Sequence, residues 1–101
     1  MGFLITIDKQ LMNDKYWHDT TQFKYVYVLD YCTIGIAPIC VSDWERVALY
    51  RETIGYLETE NAYIIELPDC IVNFYRITER KYEISGIDNL VLITVTDRNK
   101  Q

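Results

Sequence analysis

The stretch QFKYVYVLDY, residues 22–31, alternates without a break. Phe23, Tyr25, Tyr27, Leu29 and Tyr31 fall on one side of an extended chain, and Lys24, Val26, Val28 and Asp30 on the other. A period of two sustained over ten residues is the geometry of a pleated strand, and a strand requires partners. Several neighbouring segments can supply them. Residues 3–7 (FLITI) are apolar and β-prone, and 62–67 (AYIIEL), 70–78 (CIVNFYRIT), 81–85 (KYEIS) and 89–96 (NLVLITVT) share that character. Gly86 and Asp88-Asn89 mark a turn before the last of these. TIGIAPICV continues extended, and Pro38 cannot donate to a ladder, so an edge strand, a bulge or a kink is expected there. Residues 8–21 are polar and mixed, and suit a loop or one short turn.

One helix start stands out, in SDWERVALYRE. Ser42 can cap and Glu45 stands three residues on, the spacing of a capping box, with Asp43 and Glu45 at the positive end of the dipole. Trp44, Val47, Ala48 and Arg51 share a helical face, with Ile54 next. The spacing predicts a helix over about 43–54, extending to 60 if Leu57 keeps the period and Asn61 supplies a left-handed stop. The alternative end near 54 leaves IGYLE and AYIIEL as a hairpin around TEN. The expected fold is therefore α+β. It is a single domain spanning 1–101, with a mostly antiparallel sheet of about five strands and one main helix packed on one face.

Charge is distributed less evenly than structure. Residues 42–72 hold seven acidic and two basic side chains, and the other 70 residues hold eight of each. The whole net charge of −5 is thus local, and residues 52–75 contain no Lys, Arg or His. An acidic chain is a poor general ligand for nucleic acid, whose affinity comes from neutralising phosphates. The cations of YRITERKY (Arg76, Arg80, Lys81) are interleaved with Glu79 and read as a solvated turn.

Catalytic and metal chemistry find little support. His18, the single histidine, would have to serve any Cys–His hydrolase, yet no family signature surrounds Cys32, Cys40 or Cys70. These cysteines lack the spacing of a zinc site and are expected to act as small core hydrophobes. The four glycines form no phosphate-cradling loop. No cofactor and no metal are expected. Gly2 and Thr6 meet the bare pattern for N-myristoylation, but Phe3-Leu4-Ile5 fits a strand better. No basic region precedes an apolar run at the N-terminus, and no run is long enough to span a membrane, so the cytoplasm is the expected compartment.

The acidic stretch remains. Glu52, Glu58, Glu60, Glu66 and Asp69, with Tyr56 and Tyr63 as rigid contact area, form the candidate protein-binding set. In a strand Glu58 and Glu60 would share a face about 6.6 Å apart; in a helix Glu52 and Glu60 would stand about 12 Å apart. Either spacing approaches that of nucleic-acid phosphates. The expected function is a small acidic non-catalytic inhibitor or adaptor, of the kind phages and mobile elements direct at host defence. It would dock its acidic face on the basic, nucleic-acid-binding surface of a larger protein, with no direct contact to nucleic acid or membrane. The alternatives are a homo-oligomeric structural subunit, most simply a homodimer joined through a Tyr-rich sheet, and a small Cys/His hydrolase.

Overall fold

In the computed structural model, which describes residues 3–11, 24–38, 41–87 and 90–96, the alternating segment is strand β2 (Lys24–Val28). Along the chain it comes between β1 (Phe3–Asp8), which leads into a 3-10 turn at Lys9–Leu11, and β3 (Thr33–Ala37). Then follow helix α1 (Ser42–Val47), β4 (Tyr50–Ile54), β5 (Tyr56–Glu58), β6 (Ala62–Leu67) and helix α2 (Asp69–Tyr75). A second 3-10 turn (Ile77–Glu79) leads to the final hairpin of β7 (Lys81–Ile87) and β8 (Leu90–Thr96). The fold is α+β, as expected, but the strands form two antiparallel sheets rather than one. The first has the order β1-β6-β5, and the second β4-β2-β3-β8-β7. Among the described residues no helix is long and apolar enough to cross a membrane.

The two sheets share one core. Ile5 and Ile7 of β1 and Tyr63, Ile65 and Leu67 of β6 pack in the same cluster as Val26, Val28, Ile34, Ile36, Val91, Ile93 and Val95. Ile71, Tyr75 and Ile77 of the α2 region complete it. The Tyr75 hydroxyl lies 2.7 and 2.9 Å from the carbonyls of Asp30 and Thr33 and shares its proton between them, tying α2 to the β2–β3 connection. Burial, with the Asp30 charge next in weight, pushes the Tyr75 hydroxyl well above the usual tyrosine range. The opposite face of β2 is also covered. Tyr27 is buried there, its ring edge-on to Trp44 of α1 at 5.4 Å, and its hydroxyl donates to Glu45 at 2.7 Å.

Four expectations are corrected by these elements. The helix begun at Ser42 ends at Val47: Ala48 is already extended (ψ 140°), and Tyr50–Ile54 pair with β2 as a strand. Pairing of the β-prone Tyr50, Thr53 and Ile54 outweighs a helical period that Ile54 also satisfies. The hairpin ending of that segment is the one adopted, with Tyr56–Glu58 paired to β6. No capping box forms either. Val41 occupies the N-cap with no side-chain bond, and Glu45 instead accepts from Tyr27 and ion-pairs with Arg51 at 3.2 Å.

Next, the stretch expected as a strand over 70–78 is α2, which starts after Pro68 and buries Ile71 and Tyr75 four residues apart on one side. Arg76 follows in the left-handed region (φ 52°) and stops it. Third, of the alternatives for the Pro38 segment the edge strand is excluded, since β3 is interior; the chain bends at Pro38 just past its end, where no ladder bond is needed. Last, Cys32 and Cys70 are exposed thiols, not core residues. Cys40 and His18 lie outside the described residues, as does the Asp88-Asn89 turn.

Candidate functional site

The chain leaves the five-stranded sheet at Ile54 and enters the three-stranded one at Tyr56, with Gly55 between. That crossing forms one wall of a groove of about 550 Å³. The junction of β6 with α2 forms the other wall, through Glu66, Leu67, Pro68 and Asp69. Cross-strand partners share a face of a sheet. Leu4 stands opposite Glu66 and Leu57 opposite Ile64, so these apolar side chains lie on the same outer face as the Glu66 carboxylate. Leu4 and Leu57 are more than half exposed. The groove is therefore floored by aliphatic groups and edged by three carboxylates, those of Glu52, Glu66 and Asp69.

Glu52 is the most constrained of the three. It is half-buried on β4, accepts a short hydrogen bond from the Tyr50 hydroxyl, and has the Cys70 thiol 3.9 Å away. That bond to Glu52, reinforced by Cys70, holds the proton on Tyr50 far above the ordinary tyrosine range. Glu66 and Asp69 are exposed, Asp69 in the first turn of α2 where the helix dipole favours an anion. The volume lies within the span of ligand sites, and the lining joins apolar contact to negative charge.

Of the seven residues expected to bind a partner, Glu52, Tyr56, Glu66 and Asp69 line this groove, and Glu58, Glu60 and Tyr63 do not. Tyr63 is 0% exposed and is corrected to a core residue, packed edge-on against Tyr56 at 5.6 Å. Glu58 stands opposite Tyr63, so it faces the other side of its sheet from Glu66 and ion-pairs with Lys9 at 2.6 Å. Glu60 is exposed beyond the end of β5. Glu58 and Glu60 therefore form no ladder of carboxylates at phosphate spacing. Sequence reasoning overlooked the aliphatic floor, although the alternation in FLITI that buries Ile5 and Ile7 also turns Leu4 outward.

It also overlooked Lys24. This lysine is 0% exposed, with its ammonium 4.3 Å from the centre of the Tyr56 ring and 5.4 Å from that of Tyr63. Loss of water lowers its pKa, and the nearby Glu58 carboxylate opposes that shift without cancelling it. Lys9 also lies over Tyr63, at 5.1 Å, so Glu58 stands between two cations held on aromatic faces. This cluster ties β2 to β5 and β6 across the sheet junction and shares Tyr56 with the groove. Among the described residues no three His, Cys, Asp or Glu side chains gather closely enough to hold a metal ion. No protein-family model, curated protein or solved structure matches the chain.

Proposed function

We propose that the protein is a small non-catalytic binding protein, an inhibitor or adaptor, that docks its acidic groove on a basic segment of a larger partner protein. The observation that carries this reading is the convergence of Glu52, Glu66 and Asp69 around a single aliphatic-floored groove. Carboxylates brought to one groove raise the local negative potential, which attracts and orients a positive ligand. The Leu4 and Leu57 side chains add a contact that does not depend on charge.

Binding of a labelled twelve-residue peptide of Lys, Gly and Ser, followed by fluorescence anisotropy, tests the electrostatic part. Affinity should fall at least about tenfold between 50 and 500 mM salt. The double change Glu66→Gln and Asp69→Asn should weaken binding at low salt to a similar degree. Affinity that stays flat across that salt range rules out docking through these carboxylates.

A further inference from the structure

A second, smaller hollow of about 220 Å³ lies beside Tyr50, the hydrogen-bond partner of Glu52. Val28, Leu49, Tyr50, Cys70, Ile71 and Phe74 line it, and Leu49 and Phe74 are 58% and 47% exposed. Tyr31, the most exposed large apolar side chain among the described residues, stacks on Phe74 with ring centres 5.7 Å apart and extends the same patch. Exposed aromatics around a pocket are the composition of an interface hot spot rather than of ordinary surface. The volume falls below the range of about 300–1,000 Å³ usual for small-molecule sites and suits one large side chain.

The hollow and the acidic groove are joined. Tyr50 lines the hollow and Glu52 the groove, and a hydrogen bond links the two side chains. Likewise Cys70 lines the hollow and its chain neighbour Asp69 the groove. A segment that brings a cation to Glu52 therefore has the hollow within reach. Two residues on β4 separate the two positions, about 6.6 Å along a strand, and an extended ligand advances equally over two of its own residues.

We infer that this hollow receives one Phe- or Leu-type side chain of the same basic partner segment, placed about two residues from a Lys or Arg that meets Glu52. This rests on the binding function proposed above and specifies the partner's chemistry. Charge complementarity selects the occupant: an anchor inserted beside Glu52 and Asp69 is favoured when cations flank it, and disfavoured when carboxylates do.

Three labelled twelve-residue peptides test it by fluorescence anisotropy. One contains only Lys, Gly and Ser; the second replaces the Gly two residues after the central Lys by Phe; the third keeps that Phe but has Ser for every Lys. The second should bind at least about tenfold tighter than either of the others. Phe74→Ser and Leu49→Ser should each abolish its advantage over the first, with thermal melts verifying that both variants fold. In the unmodified protein, the methyl resonances of Ile71 and Leu49 should shift on adding the second peptide.

If the first two peptides bind equally, the anchor is wrong and the acidic groove stands. If neither binds, both readings fall. Equal binding of the second and third peptides would overturn the coupling of anchor to charge. Light scattering that reports a dimer dissolved by Phe74→Ser would assign the patch to a second copy of the chain and overturn the proposal as well.

Discussion

Lys24 is a charge in a place where the alternating pattern calls for an apolar residue. It shares the inward face of β2 with Val26 and Val28, and two tyrosine rings receive its ammonium in place of water. Because burial lowers its pKa from the usual 10.5, the folded state gives up the proton at a lower pH than the unfolded chain does. Between those two values the unfolded state holds more protons, so stability climbs with pH. Lys24→Met should remove that climb. Urea midpoints of the two proteins should differ most near pH 7 and draw together toward pH 10, where ionisation of tyrosines in the unfolded chain affects both proteins alike. A constant gap would mean that Lys24 loses nothing by burial. Gly35 carries a different constraint. A Cβ there would stand 2.6 Å from the Trp44 ring, too close for any real contact. Gly35→Ala should displace the indole at a cost of about 1–3 kcal/mol. With Trp17 replaced by Phe, the emission of Trp44 should move to longer wavelength as the ring meets water.

At the scale of elements, Ser42 shows how far local signals reach. Its position before DWER matches a capping box, yet Val41 is the N-cap and makes no side-chain bond. Ser42→Ala should therefore shift stability by less than about 0.5 kcal/mol, where loss of a true cap costs about 1 kcal/mol; thermal denaturation separates the two. Residues whose local pattern agreed with their pairing were legible: β1, β2, β6 and the β7–β8 hairpin follow apolar runs and alternation directly. The segment from Tyr50 to Ile54 was ambiguous. Ile54 continues the helical spacing of Trp44, Val47 and Arg51, while Tyr50, Glu52 and Ile54 also alternate, and only the neighbouring edge of β2 decides between them. In α2 the β-branched and aromatic side chains concealed a helical signal that was present, namely Pro68-Asp69 followed by Ile71 and Tyr75. The groove was legible only as composition. Glu52 lines one groove with Glu66 and Asp69 because the chain crosses between sheets after β4 and β6 turns into α2, and no periodicity encodes either event.

For the molecule as a whole, the consequence is that the candidate site lies at the junction of two sheets that cannot be stable apart. The three-stranded sheet has β5 of only three residues at one edge and buries a single face. A small sheet of that kind needs packing against another element to persist in water. Its Ile5, Ile7, Tyr63, Ile65 and Leu67 find that packing in the cluster that holds Ile34, Ile36 and Ile93 of the larger sheet. Opening one sheet would expose the inner face of both, so intermediate states with one sheet intact should be too costly to populate. Urea unfolding followed by far-ultraviolet dichroism should coincide with unfolding followed by Trp44 fluorescence in the protein lacking Trp17. Backbone amides of Ile65 in β6 and Ile93 in β8 should then exchange with equal free energies through the same global opening. If β6 exchanges at lower free energy than β8, the smaller sheet detaches first. The groove would then be a dynamic feature, formed only while the sheets are docked, and a basic ligand seated between Glu52 and Glu66 should restore the protection of β6.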